Sequence, residues 1–359
     1  MLRVTLRGFA LGPALVWIAA VSIAAGASAA ELDAAPPPTD AGIQVLPIAS
    51  GVFMLTVGGV DGINIAVQTG SDGTVVVDAG PATSAAATVA AIQNLIHEPI
   101  HYLIDTNADA DVVGGNALIA SSGSSIAARD LFASAADRQF DAIASVPGAN
   151  AGGGAPIIAP QTVLTRMLMS APGYPAAGLP TDVFARPEFN FFANEGIAVV
   201  RLPAAHSDAD AAVRFERSDV VVAGAVFDPT RFPVIRLQEG GSIQGEIDAL
   251  NRIANTLAFA HTPVLANTGG TLIVPLHGPL CDLSDLVIYQ DMVATVTARI
   301  RFYMNHGRSL QQILSADPAQ GYHTRYDAVG GDWNSTDFVT AVYRSLSARR
   351  TLAHREAQP

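Results

Sequence analysis

The chain has 359 residues, of which 50% are apolar and 14% are charged, and its formal net charge at pH 7 is −12. This composition predicts a folded protein with a large buried core and excludes a disordered chain. The acidic balance argues against nucleic acid as a partner, because a negative surface repels phosphate groups.

The first 30 residues have the pattern of a secretory signal peptide. Arg3 and Arg7 precede an apolar run, and the small residues at 26–30 offer a cleavage site. We therefore predict a cleaved signal at 1–30 and a periplasmic or secreted protein. The alternative is a retained membrane anchor, but the run contains a Gly-Pro pair and is short for a span of roughly 20 apolar residues. No later segment has the length and apolar character of a membrane span.

The rest of the chain divides by composition. Residues 31–43 are rich in proline and predict a solvated linker. We expect one folded domain at 44–348, with a mostly helical C-terminal part at 282–348 and a flexible tail at 349–359. Cys281 is the only cysteine, so no intramolecular disulfide can form. A small buried apolar role is expected for Cys281, and the alternative role of nucleophile would need a cationic setting.

The predicted elements alternate between strands and helices in two series. The expected strands lie at 52–58, 63–70, 74–80, 100–105, 124–130, 189–194, 197–203, 211–217, 219–227 and 271–276. Helices are expected at 83–97, from about 112, at 131–144, at 242–257, and over most of the chain from 282. The helix N-caps are expected at Thr83 or Ser84 and at Ser242. The segment at 146–160, rich in Gly, Ala and Pro, predicts a mobile loop. This succession indicates an α/β fold with two sheets between layers of helices.

Polar residues collect in three loops that follow predicted strands. These loops are Asp105 to Asn116, Ala204 to Asp210 and Leu276 to Pro279. In an α/β scaffold such loops carry the functional groups. We expect them to converge on one edge of the sheets, together with the ends of the strands at 74–80 and 219–227.

The order of five motifs resembles the metallo-β-lactamase superfamily. They are VVVDAG, IDTNADADVVGGN, LPAAHSDADAAVRF, VVVAGAVF and VPLHGPL, and the resemblance covers roughly 44–348. The chain is similar in particular to exported hydrolase-like members of this superfamily that have an extended helical C-terminus. The resemblance implies an αββα sandwich and a hydrolase that cleaves an ester, amide, lactam or thioester.

The chemistry of that superfamily depends on the motif T-H-x-H-x-D-H-x-G-G-N in the second loop. Its first two histidines and one from the next loop hold one zinc ion. Its aspartate, its last histidine and a further histidine near the C-terminal end hold a second, and an aspartate in a G-D motif bridges both. Zinc accepts imidazole and carboxylate ligands and lowers the pKa of bound water to roughly 7.

Only part of this ligand set is present here. By the resemblance, the retained candidates for metal ligands are Asp109, Asp111, His206 and His277, and Asp111 is also the candidate catalytic residue. The replaced positions are Asn107, Asp109 and Val112 for three histidines of the motif, and Ala225 for the bridging aspartate. Asp78 matches a carboxylate that supports the ligands, and Asp210 is expected to hydrogen-bond its own loop.

Three interpretations follow. In the first, the protein has no cofactor and is a pseudoenzyme or binding protein whose cleft takes an unidentified small molecule, or it simply persists as a stable scaffold. In the second, the four candidates hold a single zinc, iron or manganese ion, and metal-bound hydroxide hydrolyses a substrate. The third is a metal-free hydrolase or an unrelated activity. A calcium loop starting at Asp105 is disfavoured, because Ala110 and Asn116 stand where glycine and a bidentate glutamate are needed.

Overall fold

A computed structural model describes residues 42–59, 62–125, 154–170, 173–186, 188–192, 194–258, 270–327 and 333–356. The predicted signal peptide, nearly all of the linker, most of the strand expected at 124–130 and the helix expected at 131–144 lie outside these residues. Among the helices of the described part, none combines the length and apolar character needed to cross a bilayer.

The first sheet has seven strands that neighbour one another in chain order. They are β1 (Ile43–Ala49), β2 (Val52–Val57), β3 (Ile63–Gly70), β4 (Gly73–Val77), β5 (Ile100–Ile104), β6 (Ile157–Pro160) and β7 (Asp182–Phe184). Strands β1 to β4 are antiparallel, whereas β4 to β7 are parallel. The parallel strands end at the same edge of the sheet, and the predicted loops follow β4 and β5 there.

The second sheet has five strands in the order β12-β11-β10-β9-β8. They are β8 (Glu188–Phe192), β9 (Glu195–Arg201), β10 (Ala211–Phe215), β11 (Val220–Gly224) and β12 (Leu272–Pro275). Only β11 and β12 pair in parallel. The loop from β9 to β10 and the loop after β12 carry His206 and His277.

Helices cover the outer face of each sheet. They are α1 (Ala85–Leu95), α2 (Ala110–Val113), α3 (Asn116–Ser122), α4 (Gln161–Met169), α5 (Ile243–Arg252), α6 (Leu283–Asn305), α7 (Leu310–Ser315), α8 (His323–Tyr326) and α9 (Ser335–Glu356). Ser242 caps α5 as expected, because its side chain accepts a hydrogen bond from the amide of Gly245. At α1, by contrast, the Ser84 hydroxyl donates to the carbonyl of Pro81 and does not cap the helix.

The buried core has three layers, one between the two sheets and one between each sheet and its helices. They arise because strand side chains alternate between the two faces of a sheet. On β4, Val75 and Val77 pack between the two sheets, whereas Val76 faces α1, α3 and α4. On β11, Val222 faces the first sheet and Val221 faces the C-terminal helices. Both faces of the central strands are therefore buried, which explains their continuous Val-rich sequences. The arrangement is the predicted αββα sandwich with a helical C-terminal part.

Several segments differ from their predictions, and two of them, α4 (Gln161–Met169) and β7 (Asp182–Phe184), were not predicted at all. β1 was not predicted; it is an edge strand with an exposed leucine and a proline, so its apolar pattern is weak. The predicted mobile loop at 146–160 ends in β6, a fully buried parallel strand too short to show a clear pattern. The helix α9 extends to Glu356, into the segment from 349 that was predicted to be a flexible tail.

Candidate functional site

The candidate site lies where the carboxyl ends of β4, β5, β11 and β12 meet. The amide of Ala211 donates to the carbonyl of Thr106 at 2.7 Å and so joins the second sheet to the loop after β5. Gly224 has φ +58°, and a Cβ there would lie 2.9 Å from the side chain of Thr106. The two sheets therefore approach at this edge too closely for a larger residue.

Asp78 supports the loop after β5. It follows β4 in a left-handed conformation (φ 66°) and is fully buried. Its carboxyl oxygens accept hydrogen bonds from the Thr106 amide at 2.8 Å and the Thr106 hydroxyl at 2.9 Å. Burial raises the pKa of Asp78 to about 7, against the opposing effect of these two bonds. Asp78 therefore supports Thr106 at the start of the loop after β5, and it has no hydrogen bond to any of the four candidate ligands among the described contacts.

Asp105 and Asn116 form a second buried support. The Asn116 amide donates to Asp105 at 2.9 Å and to the carbonyl of Gly178 at 3.1 Å. Burial raises the pKa of Asp105 well above its ordinary value, and the charge of Asp78 adds to this effect. Since both side chains are fully buried, they fix the start and end of the loop and do not line the cleft.

The structure brings Asp109 and His206, two of the four candidate residues, together. Asp109 Oδ2 lies 3.2 Å from His206 Nε2, although the residues come from opposite halves of the sandwich. His206 is buried, and its Nδ1 lies 2.7 Å from the carbonyl oxygen of Val234. The Nδ1–H bond to this carbonyl presents Nε2 towards Asp109.

A guanidinium group occupies the position that faces both members of this pair. Arg236 NH2 donates to Asp109 Oδ2 at 2.8 Å, and Arg236 Nε donates to His206 Nε2 at 3.0 Å. Arg236 was not among the predicted site residues. It lies 30 residues from His206 and 127 from Asp109 in the chain, and no local motif surrounds it. Only the fold places its charge at this pair.

The electrostatics of the pair reflect burial and mutual attraction. Burial raises the pKa of Asp109, but the hydrogen bond and charge of His206 and the charge of Arg236 outweigh it, so the pKa is lowered overall. Burial lowers the pKa of His206, yet the bond to Asp109 and the charge of Asp210 outweigh it, so the pKa is raised overall. Neutral His206 accepts from Arg236, whereas protonated His206 donates to Asp109 and loses that bond.

Asp111 and His277 form a second, looser pair. His277 Nε2 lies 3.8 Å from Asp111 Oδ2, beyond hydrogen-bond distance, and Asp111 is 45% exposed. His277 Nδ1 lies 3.2 Å from the carbonyl oxygen of Gly62. The Asn64 amide donates to the carbonyl of Gly278 at 2.9 Å and holds this loop against β3. The four predicted residues thus lie as two pairs.

The other positions of the motif have structural contacts. The carbonyl oxygen of the Asn107 side chain accepts from the Asp109 amide at 2.8 Å and shapes the loop. Val112 is fully buried in the core, and Ala225 packs against the same core. In the described part of the chain, no three His, Cys, Asp or Glu side chains are grouped to hold a metal ion.

Two further residues were not predicted as members of the site. The pKa of Tyr174 is raised by partial burial and by the charges of Asp109, Asp111 and Asp105. Arg166 on α4 pairs with Glu239 at 2.9 Å. Tyr174 lies in an irregular Gly-Tyr-Pro segment, where no periodicity or motif indicates a functional residue.

Two smaller predictions concern Asp210 and Cys281. Asp210 accepts from the amide of Ser207 at 2.7 Å and from its hydroxyl at 3.0 Å, so it hydrogen-bonds its own loop as expected. Burial raises the pKa of Asp210 to about 6. Cys281 is buried, and burial raises the pKa of its thiol to about 12. A thiol with this pKa is not an activated nucleophile.

The architecture is similar to that of solved metallo-β-lactamases. A metallo-β-lactamase from Pontibacter korlensis is 16% identical with a TM-score of 0.51, covering 70% of this chain and 99% of that chain. One from Hirschia baltica is 16% identical with a TM-score of 0.48, covering 70% and 97%. No protein-family model and no curated protein matches the sequence. The chain has the metallo-β-lactamase fold, and its function has to be argued from its site.

Proposed function

We propose that this chain is a metallo-β-lactamase-fold protein that works without metal-activated water, as a pseudoenzyme or small-molecule binding protein. The observation that carries the proposal is the contact of the Arg236 guanidinium with both Asp109 and His206. Asp109 Oδ2 and neutral His206 Nε2 each accept a hydrogen bond from this one cation. A divalent ion would have to displace that cation and its charge.

The substitutions around the pair support the same proposal. Val112 and Ala225 offer no metal-binding atom at two positions where the superfamily has ligands. Loss of one group that supports a ligand lowers metal affinity or activity by roughly 10–100-fold. Loss of several ligands lowers metal affinity by more than this. Nucleophilic hydroxide held between two zinc ions is therefore not available to this site.

A single-metal hydrolase is the second candidate. It is favoured by the orientation of His206, whose Nδ1 bond to the Val234 carbonyl leaves Nε2 as the possible ligand atom. Asp109, Asp111 and His277 would be its other ligands. The candidate requires Arg236 to move away and the two pairs to come together around one ion.

Metal content separates the two candidates. The chain is purified without chelator, incubated with zinc, iron or manganese, desalted and analysed by mass spectrometry, and hydrolysis of a chromogenic ester and lactam is followed in parallel. We expect far less than one ion per chain, no turnover, and the same result for His206→Ala. One ion per chain that is lost in both His206→Ala and His277→Ala would instead establish the single-metal hydrolase.

A further inference from the structure

The segment that carries Arg236 is anchored at both ends. Phe232 is fully buried, stacks on Phe338 of α9 at a centroid distance of 5.3 Å, and donates its amide to the carbonyl of Tyr326 at 3.2 Å. At the other end, the Arg236 amide donates to the carbonyl of His206 at 2.8 Å. The backbone of Arg236 is thus tied directly to the residue whose imidazole its side chain contacts.

The guanidinium is also held from its far side. Arg236 NH1 lies 3.6 Å from Glu239 Oε1, and Arg166 NH1 lies 2.9 Å from Glu239 Oε2. Arg166 Nε in turn contacts Asp208 Oδ1 at 2.7 Å. Alternating charges therefore run from Asp208 on one side to Asp109 on the other. Such a network holds a long side chain in one position better than an isolated surface pair does.

Asp109 and His206 retain a geometry suited to a metal ion. Two ligands bound to one tetrahedral zinc at roughly 2.0–2.1 Å are separated by about 3.3 Å. Asp109 Oδ2 and His206 Nε2 are 3.2 Å apart. In addition, Nδ1 of His206 is bonded to a carbonyl, which is the usual arrangement behind a metal-binding histidine. The pair differs from a metal site in having a guanidinium in front of it and in having, within the described residues, no third His, Cys, Asp or Glu grouped with it.

The geometry points to Arg236 as a built-in cation that blocks a latent divalent-metal site at Asp109 and His206. Removal of this one guanidinium exposes a carboxylate and an imidazole at ligand spacing, and water completes the coordination of an incoming ion. The inference rests on the proposed function, because it assumes that the unaltered pair holds no metal. It adds that Arg236 prevents metal binding at this pair, beyond the effect of the lost ligands.

The test compares Co²⁺ and Zn²⁺ binding by the unaltered chain, Arg236→Ala and Arg236→Met. Cobalt is followed by its visible absorption and zinc by the shift in Tm, neither of which depends on enzymatic activity. Arg231→Ala is the matched control, because Arg231 lies in the same segment, pairs with Asp228 at 2.8 Å and carries the same charge. Arg236→Met keeps an aliphatic side chain in case Arg236→Ala does not fold.

We expect both Arg236 variants to bind cobalt at least about tenfold more tightly than the unaltered chain, with a Tm raised by zinc. The gain should disappear when His206→Ala is added, and Arg231→Ala should show none. A folded Arg236 variant with no gain overturns this inference and leaves the proposed function standing. Metal binding by the unaltered chain that is lost in His206→Ala overturns the proposed function itself.

Discussion

Among single residues, Glu246 is a deeply buried carboxyl group. It lies on α5 with 1% of its surface exposed, and within the described part of the chain neither carboxyl oxygen has a hydrogen-bond partner. Burial raises the pKa of Glu246 well above its ordinary value, and the charge of Asp210 adds to this effect. The folded state therefore holds a proton that the unfolded chain releases at lower pH.

Glu246→Gln should stabilise the protein near neutral pH by roughly 1–3 kcal/mol, because glutamine resembles the protonated side chain and has no proton to lose on unfolding. At about pH 4 the variant and the unaltered chain should have nearly the same stability. Urea denaturation at both pH values measures the difference. The exposed Glu98→Gln serves as a control and should change stability by less than about 0.5 kcal/mol. Destabilisation by Glu246→Gln at neutral pH would show that the ionised carboxylate has a favourable role.

Arg236 shows at the same scale how one side chain changes a site. Asp109 and His206 were predicted as candidates from their matches to family motifs. Their actual partner is a cation on a segment that has no motif. The motifs predicted Asp109 and His206 as site residues, but only the tertiary structure identified Arg236 as their hydrogen-bond donor.

At the scale of elements, the segment between β11 and α5 connects the site to the C-terminal helices. Phe232 lies in an aromatic cluster with Tyr326 at 5.6 Å and Phe338 at 5.3 Å. Tyr326 in turn contacts Tyr289 on α6 at 5.8 Å. The C-terminal helices therefore complete the outer layer of the second sheet and also fix the segment that bears Arg236.

Phe232→Ala should destabilise the protein by about 3–5 kcal/mol, since it removes a fully buried ring from this cluster and leaves a cavity. Chemical denaturation followed by circular dichroism measures the loss. Phe302→Ala is the matched control, because Phe302 is 59% exposed on α6, and its change should stay within about 1 kcal/mol. Equal losses for the two variants would contradict the anchoring role of Phe232.

For the whole molecule, buried acids set the dependence of stability on pH. The pKa values of Asp78, Asp105, Asp210 and Glu246 are all raised, with burial as the largest cause. A raised carboxyl pKa means that the folded state binds more protons than the unfolded state between the two pKa values. Its stabilising contribution is complete below the unfolded pKa and is lost as the pH rises through the folded pKa.

The free energy of unfolding should therefore fall as the pH rises from about 4 to about 7. The raised pKa of His206 acts in the same direction, while the lowered pKa of Asp109 matters only below this range. Urea denaturation across the range, at constant ionic strength, measures the slope. A constant or rising free energy of unfolding would show that these carboxyls are ionised in the folded protein.

Local patterns in the sequence predicted the α/β layering, most strands of the two sheets, the cap of α5 by Ser242 and the candidate residues in the loops. These follow from periodicity, from turn chemistry and from motifs in a particular order. The sequence did not reveal β1, β6 or β7, because an exposed edge strand and strands of three or four residues have weak local patterns.

The contacts between the site residues became known only from the tertiary structure. It paired Asp109 with His206, left Asp111 and His277 at 3.8 Å, and placed Arg236 between the first two. The physical reason is that these contacts join residues far apart in the chain, so they depend on how the two sheets pack and where the C-terminal helices anchor Phe232. The interaction between two charges depends on their distance in the folded protein, and this distance cannot be read from their separation along the chain.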